Sequence, residues 1–152
     1  MRIAVGSDHA GFELKTYLRE ILEREKHAVV DVGTGSEDPV DYTDFGIKVA
    51  RLVSGGQVER GILICGTGIG MSITANKIRG VRAALVQDLF TDIQSRRHVD
   101  ANVLVLGGRV VGKGLAEEIL KSWLNEPFEG GRHARRIEKI SKLEEECFKS
   151  SG

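Results

Sequence analysis

Five short apolar runs, each followed by a stretch of helical period, narrow the fold of this chain more than any other feature: residues 2–6, 28–32, 61–65, 82–86 and 102–106. Most are unbroken by polar side chains, as suits parallel strands covered on both faces. The first helical segment is the clearest, because Leu14, Tyr17, Leu18, Ile21 and Leu22 follow the i, i+3, i+4, i+7, i+8 spacing of one buried face. Further helices are expected over 43–53, 70–78, 89–97 and 112–124. Five βα units in 152 residues predict one domain over residues 1–152, without repeat, low-complexity tract or linker. The expected α/β fold is a single-domain open doubly wound parallel sheet of about five strands, a Rossmann-like three-layer αβα sandwich with an extra C-terminal helix. That last helix, over about 131–149, carries the narrow stripe Ile137, Ile140, Leu143, Cys147 and Phe148 on a highly charged segment. Such a stripe packs either on its own domain or on a partner subunit.

Charge excludes several classes of partner. Lys+Arg and Asp+Glu are equal at 22 each, so no global field gathers nucleic acid or anionic membrane. No apolar run approaches the roughly 20 residues of a membrane span, and residues 1–5 lead into a strand pattern without a signal-like segment, so a cytoplasmic location is expected. Two cysteines without a CxxC pair predict free thiols rather than a zinc site or a disulfide framework.

Ligands of open α/β sheets bind beyond the carboxyl ends of the strands. There the first strand runs into Gly6-Ser7-Asp8-His9-Ala10-Gly11 and the third into Cys65-Gly66-Thr67-Gly68-Ile69-Gly70. The alternate glycines of the second loop have neither the GxGxxG spacing of a dinucleotide fingerprint nor the GK[ST] of a P-loop, although Asp88 stands where a ribose ligand is expected. A strand, a glycine turn and a helix start nonetheless make an anion nest for a phosphate or an enolate-like oxyanion, the alternative being a purely structural turn. Cys65 faces the same positive region, which favours thiolate and hence a base; equally, ILIC reads as a core strand and its cysteine as packing.

His27 reads as an ordinary surface residue. His9 and His98 both follow turns and are expected at the ligand edge, each as a proton donor or an anion contact, against the plainer alternative of a structural or solvated role. No HxH or HExxH spacing accompanies them, so a metal is not expected. Near the C-terminus Arg132 and Arg136 stand at i and i+4 on one helical face, able to aim two guanidinium forks at one phosphate, unless they are simply a solvated basic helix start. Cations at a helix N-terminus oppose its dipole, which favours the functional reading.

Taken together the motifs SDHAG at 7–11, DYTDFG at 41–46, GILICGTGIGMSITANK at 61–77, SRRHVDANVL at 95–104, GGRVVG at 107–112 and GGRHARRI at 130–137 resemble ribose-5-phosphate isomerase type B, of the ribose/galactose phosphate isomerase family. The resemblance implies interconversion of ribose 5-phosphate and ribulose 5-phosphate through a cis-enediolate, without metal or cofactor. It implies that Cys65 is the base, with Thr67 assisting proton handling and the amides of Gly66, Gly68, Ile69 and Gly70 holding the oxyanion. His98 is implied as the residue that opens the sugar ring, helped by Asp8. His9, Arg109, Arg132 and Arg136 match phosphate-binding positions, and Tyr42 matches part of the substrate wall. Members of the family are homodimers or dimers of dimers with sites assembled across an interface. The chain departs from the pattern in three places. Met71 stands where some members carry a glutamate base, Val99 where many carry Asn, and Thr43 where proline is frequent. An isomerase of a six-carbon sugar phosphate (allose or galactose 6-phosphate) is the nearest alternative, and a nonenzymatic nucleotide-binding module using the glycine nest and Asp88 is the alternative from another class.

Overall fold

The structure, a computed structural model, describes residues 1–149. Strand β1 (Arg2–Ser7) passes through one 3-10 turn (His9–Gly11) into α1 (Phe12–Arg24), and the alternation continues with β2 (Ala28–Asp31), α2 (Tyr42–Ser54), β3 (Arg60–Cys65), α3 (Ile69–Ala75), β4 (Ala83–Leu85), α4 (Leu89–Arg97), β5 (Val103–Gly107) and α5 (Lys113–Asn125). Helix α6 (Arg132–Lys149) follows. Every strand pair is parallel and the order is β2-β1-β3-β5-β4. The chain moves outward from β1 to β2, then returns past β1 to place β3 on its other side, so the order reverses between β1 and β3. A crevice therefore opens where the loops after those two strands part.

The doubly wound arrangement follows from the period-two alternation of the strands. Ile62 and Ile64 of β3, with Leu104 and Leu106 of β5, enter one core with Leu18 and Leu22 of α1 and Ile119 and Trp123 of α5. Leu63 and Cys65, with Val103 and Val105, enter a second core with Val49 of α2 and Met71 of α3. Both faces are covered, which is why the strands carry continuous apolar runs rather than alternation with polar residues. The α1 face holds as the periodicity requires: Leu14, Leu18, Ile21 and Leu22 are buried, and Tyr17 at the rim donates its hydroxyl to Glu117 at 2.6 Å. Strand β4 is shorter than its apolar run, since the amide of Arg82 donates to the Asn102 side chain at 2.8 Å instead of continuing the ladder.

Helix α6 behaves differently from the others. His133 is its one buried residue, while Ile140 and Leu143 remain 52% and 59% exposed. Its own domain leaves the apolar stripe largely uncovered, although Gly80 donates an amide to Glu144 at 2.8 Å and Arg79 lies over the Phe148 ring. Among the described residues no helix is long and apolar enough to cross a membrane.

Candidate active site

Parity fixes where the cysteine points. Cys65 ends β3 on the α3 side of the sheet, and its sulfur accepts a hydrogen bond from the Gly68 amide at 3.2 Å. The residue is only 5% exposed, as packing at the end of a core strand requires. The sulfur seals the end of the second core and faces the turn. Gly68 has φ +81° and caps α3, and a Cβ there would meet Leu85 and the Leu106 carbonyl, so glycine is required both conformationally and sterically. A Cβ on Gly70 would strike the Tyr42 ring at 2.5 Å, which packs Tyr42, the first residue of α2, directly over the turn. Thr67 and Ile69 are exposed on its outer side, the Thr67 hydroxyl accepting from the Ile69 amide at 3.2 Å.

The loops after β1 and β5 close around this turn. Asp8 is 7% exposed and accepts from the Gly11 amide at 3.0 Å, while its own amide donates to the Ile64 carbonyl. The Val40 amide donates to His9 Nδ1 at 3.2 Å, which makes Nδ1 an acceptor and leaves Nε2 to carry the proton of the neutral ring. Gly108 and Arg109 donate their amides to the carbonyls of Cys65 and Gly66 at 2.8 and 3.0 Å, stitching the exposed Arg109 beside the glycine turn. Asp8, His9, Tyr42, Cys65, Thr67, Gly66, Gly68, Ile69, Gly70 and Arg109 thus share the carboxyl edge of the sheet.

His98 does not join them within the chain, contrary to the sequence expectation. It follows α4, a helix that starts past the carboxyl end of β4 and runs back, so the residues after it precede β5 at the amino edge. The Val99 and Asp100 carbonyls there accept from Arg82 at 3.1 Å, and the Gly61 amide donates to the Asn102 carbonyl. Since Cys65 pairs with Gly107 at the far end of β5, the two side chains are separated by a strand length, roughly 15 Å at 3.3 Å per residue. Arg132 and Arg136 start α6 beside His98, exposed and one turn apart. The expected site residues therefore form two groups at opposite edges.

At the amino edge, His133 stacks on His98 with ring centroids 4.0 Å apart and planes within 9°. Burial lowers the pKa of His133, and His98, Arg132 and Arg136 add to that, against Glu129. Sequence reading gave no role to His133 or Glu129; their only signal is the i, i+4 spacing of a carboxylate and an imidazole, and nothing local links them to His98. His98, Glu129 and His133 bring one ligand atom each to within 4.8 Å of one another. They do not suit a metal: nearly parallel stacked rings keep their lone pairs in separate planes, so both cannot point at one ion about 2.0–2.1 Å away without unstacking. Asp88 is also committed, its side chain accepting the Thr91 amide at 2.8 Å and the Thr91 hydroxyl at 3.0 Å as the α4 cap, which removes the ribose ligand from the nucleotide alternative.

The model of the Ribose/Galactose Isomerase family matches residues 3–140. The ribose-5-phosphate isomerase B of Escherichia coli is 46% identical over 144 residues, 95% of this chain and 97% of that protein. Among solved structures, ribose-5-phosphate isomerase B of Clostridium thermocellum superposes with a TM-score of 0.95 at 49% identity, covering 96% of this chain and 99% of that one. The enzyme of Mycoplasma genitalium, solved with bound ribulose-5-phosphate, superposes at 0.92 with 43% identity over 95% and 97% of the two chains. Likeness of this extent, from the first strand into α6, takes in the glycine turn and both edge groups alike: the chain belongs to the Ribose/Galactose Isomerase family.

Proposed function

We propose that the chain is an aldose-ketose isomerase interconverting ribose 5-phosphate and ribulose 5-phosphate through a cis-enediolate, with no metal in the reaction. The observation that carries this reading is the Gly68 amide hydrogen bond to the Cys65 sulfur at the carboxyl edge, which sets the proposed base against the glycine turn that opens α3. In the open-chain aldose, Cys65 as thiolate takes the proton from C2; the electron pair forms the C1–C2 double bond, and charge develops on the carbonyl oxygen. Amides of the 66–70 turn hold that charge, worth about 10² to 10³ in rate per donor. Thr67 moves protons between the enediolate oxygens, and return of the proton to C1 gives the ketose.

Ring opening precedes this step. His98 gives a proton to the furanose ring oxygen as its bond to C1 breaks, while Asp8 accepts the proton of the anomeric hydroxyl. His9, Arg109, Arg132 and Arg136 bind the phosphate. Because the two groups of residues lie at opposite edges of one chain, the reading requires a second copy whose amino edge meets this carboxyl edge, and two-fold symmetry then yields two equal sites. The uncovered stripe of α6, facing a groove of about 610 Å³ against edge strand β4, supports such an interface.

A six-carbon sugar phosphate is the second reading, favoured by Val99: this side chain is 40% exposed beside His98 and offers no polar contact to the sugar. Measuring kcat/KM over five- and six-carbon aldose phosphates tests both. Ribose 5-phosphate is expected to lead; a six-carbon substrate leading by tenfold or more would favour the alternative, and no turnover of any aldose phosphate would overturn the isomerase reading.

A further inference from the structure

The amino-edge residues are held by an unusually complete frame. Gly130 and Gly131 are consecutive left-handed residues, φ 69° and 57°, and they turn the chain so that α6 begins back against α4. Before them, the Glu129 amide donates to the Arg97 carbonyl at 3.1 Å and Arg97 pairs with Glu126 at 2.8 Å, tying this loop to the last turn of α4. The side chain anchored by this bend is His133, only 4% exposed on an otherwise open helix. Its Nε2 is buried without a hydrogen-bond partner among the described residues, the Glu129 carboxylate lying 3.6 Å away. The same carboxylate oxygen stands 3.9 Å from Nε2 of His98.

A buried imidazole nitrogen with no partner costs stability, and a ring kept at that cost calls for a purpose. Here it supplies a flat face. An exposed residue at a helix C-terminus rotates freely, whereas His98 with one ring face covered by His133 can present only its edge. Two imidazolium rings 4.0 Å apart would repel, burial favours the neutral form of His133, and the Glu129 carboxylate lies 3.9 Å from His98 Nε2.

Resting on the reading of His98 as the ring-opening acid, we propose that His133 is a positioning residue, whose stacked ring fixes the orientation of His98. Arg132 and Arg136 flank His133 on the same helix, so one bend sets both the acid and the phosphate clamp in register.

The test separates ring opening from enolisation. Ribulose 5-phosphate has no furanose form, because its O5 is esterified, and deuterium wash-in at its C1 from D₂O reports proton removal alone. His133→Ala is expected to lower kcat on ribose 5-phosphate by about 10- to 100-fold, a part of the 10² to 10⁴ that a positioned acid supplies, while wash-in stays within about threefold. His133→Phe, which keeps an aromatic face, is expected to recover most of the lost turnover. Equal loss of both reactions in His133→Ala, loss of neither, or failure of the phenylalanine to rescue would overturn the proposal. His98→Ala in the same assays identifies which claim has failed: if it too lacks a selective loss of ribose 5-phosphate turnover, the ring-opening reading of His98 falls, and if only His98→Ala shows that loss, the positioning role of His133 falls.

Discussion

Cys65 and Gly68 are joined by a hydrogen bond of 3.2 Å from the glycine amide to the cysteine sulfur, across a turn only three residues long. That bond ties the end of a core strand to the turn that starts α3, because the left-handed Gly68 that donates it is also the cap of that helix. The same side chain therefore packs in the core and meets the turn.

The division of site residues between two edges leads to a complementation experiment. In the proposed dimer, the Cys65→Ala and His98→Ala variants are each expected to be nearly inactive alone. Mixed subunits should regain about a quarter of wild-type activity, because half of random dimers are hybrid and each hybrid has one complete site of two. Activity assays after co-refolding measure this, and no recovery in confirmed hybrids would mean that both residues serve a site within one chain.

Among the described residues Arg132 and Arg136 are exposed and form no ion pair with a carboxylate, so their charge is available to a ligand. Replacing both with Ala should raise KM for ribose 5-phosphate by about 10²-fold or more, taking roughly 1.5–3 kcal/mol for each charged hydrogen bond, while the melting temperature stays near wild type. Equal loss toward unphosphorylated ribose would refute the clamp.

Asp92 gives a prediction about stability. It is fully buried in α4, neither carboxylate oxygen has a well-formed hydrogen bond among the described residues, and burial raises its pKa to about 7 with only the Ser122 hydroxyl in relief. The folded state therefore holds a proton that the unfolded chain, titrating near 3.8, releases earlier. Stability from this group is full below about pH 4 and is lost as pH rises to about 7, by at most about 4 kcal/mol. Asp92→Ala should thus be more stable than wild type at pH 8, by roughly 1–3 kcal/mol, and the advantage should vanish near pH 5. Denaturant titrations at the two pH values decide it; parallel pH dependence of both proteins would contradict the assignment.

Much of the architecture was legible in the chain because covered parallel strands write themselves as unbroken apolar runs: residues 102–106 foretold Val103–Gly107, and residues 89–97 foretold α4 to the residue. The glycine turn was legible for a related reason, since strand, turn and helix start are contiguous in sequence. The edge at which His98 lies is not legible from its own neighbours, because a residue after a crossover helix reaches the amino ends of the strands only through the direction of that helix. The stack of His133 on His98 joins positions 35 residues apart through the Gly130–Gly131 bend, and no local pattern encodes such a meeting. The direction of the Cys65 sulfur is not legible in its strand, since an apolar strand end looks the same whether its sulfur faces a core or a turn.

The most direct measurement is turnover of ribose 5-phosphate by Cys65→Ala, alongside calorimetric binding of ribulose 5-phosphate. Loss of the base should cost at least about 10² to 10⁴ in kcat with binding retained within a few fold. A variant that isomerises at the wild-type rate would show that hydrogen moves between the sugar carbons by another group, and the central claim would be wrong.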